Sequence, residues 1–142
     1  MSTNTYSAPG TASPSPSKTG LIIALWIAQV LVAGMFGMAG TMKLLNSEMF
    51  AQHMGAPTAL VLFIGISEVA GTLGILLPAI SRILPILTPI AASGLAIVGI
   101  LATGYHVLHG EFASTPVPLA LAALSVFVAW GRFYAAPIRP RA

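Results

Sequence analysis

Cysteine is missing from this 142-residue chain. Its absence excludes disulfides, thiolate metal sites and dithiol redox chemistry within the chain, and it leaves the redox state of the compartment undecided. Charge is almost as scarce. Lys, Arg, Asp and Glu together make up 6% of the residues, where soluble domains carry about 25%. Too little charge remains to coat a water-facing surface, and 56% of the residues are hydrophobic. Most of the surface must therefore face lipid. The net charge of +3 comes from residues scattered at helix ends. No basic patch interleaved with aromatics exists, which excludes nucleic acid as a partner. Strand-like alternation and internal repeats are absent too, as are a nucleotide-binding loop, a Ser-His-Asp set and a hydrolytic carboxylate pair.

What is present is apolar and helical. Four segments stand out, about 21–44, 58–77, 83–107 and 117–133. Each is near the roughly 20 residues that a tilted spanning helix needs. The punctuation agrees. Asn46-Ser47 ends the first segment, and Pro57 sits where a first-turn proline belongs, because its missing N–H would lack a partner there anyway. Pro78 is expected to close the second helix. Pro85 and Pro89 fall in the opening turns of the third, with Pro89 placed to kink it. His109-Gly110-Glu111 leaves the third helix, and Pro116 and Pro118 open the fourth. The fold class that follows is all-α, a four-helix transmembrane bundle over 21–134. Residues 1–20 form a Ser/Thr/Pro-rich leader, expected to be a disordered tail with Lys18 at the membrane border. A signal peptide would instead set a short apolar stretch close behind a basic start, ahead of a small-residue cleavage site. Residues 135–142 form a basic C-terminal tail.

Lys and Arg in the short loops predict the orientation. With four spans both termini share a side, and that side holds Lys18, Arg82, Arg132, Arg139 and Arg141. The other side holds Lys43 alone. Both termini are therefore expected in the cytoplasm. The outer loops and helix ends then carry Lys43, Glu48, His53, His106, His109 and Glu111. Small residues predict where helices touch, since association in lipid needs close packing. The first helix offers Ala33, Gly34, Gly37 and Gly40. The second offers Gly65, Ser67, Ala70, Gly71 and Gly74, and the third Ser93, Gly94, Gly99 and Thr103. These serve helix contact, or leave room for a flat ligand.

Glu68 is the residue that asks most for a reason. It lies near the middle of the second apolar run, and a carboxylate at that depth costs about 2.5–3.5 kcal/mol on insertion scales. It either bridges helices or takes part in binding or proton handling. Lys43, in GTMKLL, is read as a snorkelling anchor or as the partner of Glu68 or of a ligand anion. Glu68 stands about 16 Å into its helix at 1.5 Å per residue, so Lys43 must bend inward or the second helix start deeper for the two to meet. Gln29 lies in the first helix nearer the inner side. Tyr105 and His106, near the outer end of the third helix, are donors suited to a quinone headgroup. His106, His109 and Glu111 supply the residue types of a metal site, but no second ligand cluster accompanies them, and no metal is expected. Arg132, with Trp130 and Tyr134, reads as an interfacial anchor. Met35, Met38 and Met42 read as packing.

Several of these residues resemble a known group. AGTMK at 39–43 ending the first helix, SEVAGTLGILLP at 67–78, Arg82 opening the third helix, HVLHGE at 106–111 and FVAWGR at 127–132 are similar to the DoxX-like membrane proteins of the DoxX/DoxD superfamily. The resemblance spans about 21–132, with matching positions at Lys43, Glu68, His106, His109 and Arg132. It implies a four-helix membrane bundle. Relatives include subunits of thiosulfate:quinone oxidoreductase and proteins linked to redox or detoxification partners, and many have no assigned activity. Thiol-based relatives are not the pattern here, because the chain has no Cys.

The expectation is an integral protein of a bacterial cytoplasmic (inner) membrane, acting as an accessory subunit or membrane anchor of a redox system. Quinone is the expected ligand, or another apolar molecule. The ligand residues would be Glu68 at the floor of an outer-half pocket, Lys43 and His106 at its rim, and Tyr105 beside them. The partners would be the lipid bilayer and a redox protein or further copies of the chain. One alternative is a structural or assembly subunit in which Glu68 only joins helices; a small transporter is another.

Overall fold

The computed structural model describes residues 16–142 and turns each apolar run into a helix. The helices are α1 (Pro16–Leu45), α2 (Ser47–Met54), α3 (Thr58–Ser81), α4 (Leu87–Leu108) and α5 (Pro116–Trp130). Among the described residues there is no strand. Four stretches are long and apolar enough to cross a membrane: Ser17–Leu45, Thr58–Ser81, Leu87–Leu108 and Phe112–Ala135. The last joins α5 to a short 3-10 turn before it and a π-turn after it. The four-helix membrane fold is thus all-α, as the composition requires.

α1 packs on α3 and α5, and α4 packs on the same two, which closes a four-membered ring. The core within it comes from small and medium side chains: Ala28, Val32, Ala33 and Phe36 of α1, Ile75 of α3, Ala92 and Leu95 of α4, Val128 and Ala129 of α5. Large apolar residues face outward instead, among them Ile27, Leu31, Ile66, Leu73, Ile97 and Leu101. That inversion suits a bilayer, where lipid tails solvate Leu and Ile while close backbone approach holds helices together.

The boundaries differ from the sequence reading in instructive places. The tail expected to be disordered over 1–20 is helical from Pro16, since proline is tolerated at a helix start; residues 1–15 lie outside the described residues. A short amphipathic helix, α2, fills the first loop. It ends in Gly55 at φ 62, a left-handed position that glycine adopts freely. The Gly55 and Ala56 N–H groups bond back to Gln52 O and Ala51 O, the paired bonds of a Schellman cap.

Pro78 does not close α3. It lies buried within the helix, which runs on to Ser81. Two side chains from other helices, Gln29 and Thr88, donate to the Ile75 carbonyl one turn before it. Neighbouring donors of this kind let a membrane helix tolerate proline. The third span then starts at Leu87, not at 83. Arg82 and Leu84 hold φ 61 and 48, which no α-helix can contain. Pro85 also disfavours the helical region for the residue before it. Arg82 therefore caps α3 and does not open α4. Pro89, the third residue of α4, falls among first-turn N–H groups that have no intrahelical partner.

Candidate functional site

Among the described residues, three groupings of charged side chains stand out in the bundle. The first is built on the tightest contact between α1 and α3. A Cβ on Gly40 would lie 2.9 Å from Gly65 O and 2.9 Å from Glu68 Cβ. Only hydrogen at Gly40 permits this approach. One turn further along each helix stand Lys43 and Glu68. Lys43 Nζ donates to Glu68 Oε1 at 2.9 Å and to Oε2 at 2.8 Å. The two side chains are 17% and 5% exposed, so the pair is nearly sealed.

This contact resolves the depth problem. Cβ atoms tilt toward a helix N-terminus. In neighbouring spans of opposite direction, Lys43 leans back toward Gly40 and Glu68 leans back toward Gly65. Each residue stands about 4.5 Å beyond its glycine at 1.5 Å per residue, and the long lysine stem closes the gap. The snorkelling reading of Lys43 gives way to the ion-pair reading.

The second place is the C-terminal end of α4. His106 Nδ1 donates to Glu111 Oε2 at 2.6 Å, across the turn that leaves the helix. Tyr105 stacks on His109 with ring centroids 4.0 Å apart and meets the His106 ring edge-on at 5.6 Å. The Tyr105 hydroxyl reaches the Met54 carbonyl at 3.5 Å, linking α4 to the end of α2. His109 Nδ1 turns to its own helix at Tyr105 O, 2.8 Å. The His106, His109 and Glu111 set is therefore not gathered around one point. Among the described residues, no group of three or more potential ligands is placed to hold a metal ion.

The third place was missed as a unit in the sequence. Arg132 lies in the π-turn Gly131–Ala135, where Ala136 N–H bonds to Gly131 O at 2.7 Å. A π-turn widens the helix, and Arg132 points inward, 5% exposed. Its Nε donates to Gln29 Oε1 at 2.6 Å, its Nη1 to Ala136 O at 3.3 Å, and its guanidinium carbon lies 5.3 Å from the Trp26 ring centroid. Arg132, read as an interfacial anchor, has its side chain buried within the bundle, while its neighbours Trp130 and Tyr134 are exposed. The available signal was a lone Gln29 and an Arg expected on the same side of the membrane, since polar groups in a bilayer pair with one another.

The four expected ligand residues are thus brought together in two groups. Lys43 meets Glu68, and Tyr105 meets His106. Among the described residues no hydrogen bond joins one group to the other.

The model of the DoxX-like family fits residues 27–128. No curated protein and no solved structure matches the chain.

Proposed function

The chain belongs to the DoxX-like family, and we propose that this integral membrane protein is an accessory subunit or membrane anchor of a redox system, binding a quinone-like headgroup at the outer end of α4. The observation that carries the reading is the His106–Glu111 pair at 2.6 Å. A carboxylate on Nδ1 fixes the ring's tautomer and orientation. It leaves Nε2 to donate to a quinone oxygen when the ring is protonated, or to accept a proton when it is not. Tyr105 stands beside it, and its hydroxyl, held only 3.5 Å from the Met54 carbonyl, would turn to the ligand as a second polar group. Lys43 and Glu68 hold α1 against α3 and set the frame in which α2 and the α4 end meet. The bacterial inner membrane and the cytoplasmic termini belong to the same proposal.

The test is chromatography of the protein purified in mild detergent. Wild type should carry quinone, and His106→Phe should lose about tenfold of it while staying monodisperse, the effect of about 1.4 kcal/mol from one hydrogen bond. Wild type free of quinone, or equal retention by the variant, would overturn the reading.

A second reading has its own support. The Lys43–Glu68 pair satisfies itself inside a helix contact and presents little surface to a ligand. That favours a structural or assembly subunit, and native mass spectrometry should then find the chain travelling with protein partners.

A further inference from the structure

A cavity of about 380 Å³ opens at the end of the bundle opposite His106. Its walls come from three separate segments: Leu84, Pro85 and Ile86 of the α3–α4 turn, Arg132 and Phe133 of the π-turn, and Pro137, Ile138 and Pro140 of the C-terminal tail. The tail is strapped to the turn by two bonds. Arg82 Nε donates to Arg139 O at 3.1 Å, and Arg141 N–H donates to Arg82 O at 2.9 Å. The volume lies within the range of small-molecule sites.

The lining is apolar except for one cation. Arg132 is 5% exposed, and its Nη2 is buried with no hydrogen-bond partner among the described residues. Gln29, the Ala136 carbonyl and the Trp26 ring receive the rest of the guanidinium. None of these carries a negative charge. No acid lines the cavity, and two of the chain's three acids, Glu68 and Glu111, are held by Lys43 and His106. A buried cation without a counter-charge is expensive, and structures normally supply the missing anion. Arg82, Arg139 and Arg141 adjoin the lining segments in sequence and add positive charge at this end of the chain's fold.

We infer that this cavity is a binding site for an anionic lipid, with its oxyanion head against the Arg132 guanidinium and the start of an acyl chain along Phe133, Ile138 and Ile86. A headgroup phosphate suits a planar guanidinium with an unpaired N–H. The apolar walls suit the chain, and the site stands at a membrane border where such lipids are at hand. A free phosphate shares the head chemistry but gains nothing from the apolar walls.

The test uses the full chain, delipidated in detergent, with phosphatidylglycerol, phosphatidylcholine or inorganic phosphate added before native mass spectrometry and thermal melting. Wild type should retain phosphatidylglycerol about fivefold over phosphatidylcholine, and Arg132→Gln should abolish the preference. Because that variant disturbs Gln29, Ile138→Glu is the second arm. It places a carboxylate in the tail wall, outside the bundle, and should lose the preference while melting as wild type does in the absence of lipid. Equal retention of the two lipids by wild type, or an undiminished preference in Ile138→Glu, would overturn the inference. Stabilisation by inorganic phosphate as large as that by phosphatidylglycerol would overturn the lipid assignment in favour of a free oxyanion.

Discussion

Lys43 and Glu68 meet because each leans back over a glycine. Lys43 Nζ lies 2.9 and 2.8 Å from the two carboxylate oxygens, across a helix contact too close for a Cβ at Gly40. Breaking a buried pair from one side leaves an uncompensated charge, which costs about 3–5 kcal/mol, whereas replacing both partners with apolar groups is often neutral. Lys43→Met should therefore destabilise the bundle by that order. Glu68→Leu should fall at the low end of the range, because the lysine stem can carry its ammonium toward the border. The double variant should return to within about 1 kcal/mol of wild type. Unfolding monitored by circular dichroism in detergent checks this. A double variant no better than the worse single one would refute it.

The same contact makes a prediction about glycine. Gly40→Ala forces a methyl against Gly65 O and Glu68 Cβ, both at 2.9 Å, and should cost about 1–3 kcal/mol through overpacking. Gly34 lies on the same helix with nothing within 4 Å of a Cβ. Gly34→Ala should be neutral, or stabilising by up to about 1 kcal/mol from helix propensity. Melting temperatures of the two variants, side by side, separate a packing role from a general intolerance of substitution in α1. Equal effects would mean that Gly40 has no special place.

The spans were legible because a bilayer imposes a length and a composition that few other settings demand, and 58–77 and 117–133 show it plainly. The α1–α3 contact was half legible. Gly40, Gly65 and Glu68 were visible as small and acidic residues, but spacing along one helix says nothing about which face meets which neighbour. α2 was hidden because its eight residues carry no apolar period long enough to read. Pro78 misled because its helix-breaking effect is local, while the Gln29 and Thr88 side chains near Ile75 O come from other helices. Arg132 misled most. Beside Trp130 and Tyr134 it has the pattern of an interfacial anchor, and no residue type announces the π-turn that swings it inward.

Gln29 accepts from Arg132 Nε at 2.6 Å and donates to Ile75 O at 3.4 Å. Gln29→Leu removes both bonds and leaves a buried guanidinium nitrogen without its acceptor, a loss of about 1–3 kcal/mol. Gln29→Glu is the informative partner. It keeps the acceptor and adds the counter-charge that the site lacks, so its stability should match or exceed wild type even though an acid has been placed inside a spanning helix. Denaturant titration in detergent reads both. A Gln29→Glu variant as weak as Gln29→Leu would show that the arginine gains nothing from a negative neighbour.

The absence of cysteine makes the proposed orientation directly testable. Ser114 is exposed in the turn between α4 and α5, and Ala142 is exposed beyond the arginines of the tail. Lys and Arg favour the cytoplasmic side, and here they gather at the end that carries Arg82, Arg139 and Arg141. A single Ser114→Cys should therefore react with an impermeant maleimide on intact cells, or on spheroplasts where an outer envelope blocks access. A single Ala142→Cys should react only after permeabilisation. Each variant adds one thiol to a chain that has none, so label on the purified chain reports that position alone. The reversed pattern would place the His106–Glu111 end inside the cell and the Arg132 cavity in the outer leaflet, and the lipid and quinone assignments would then have to be sought on exchanged sides of the membrane.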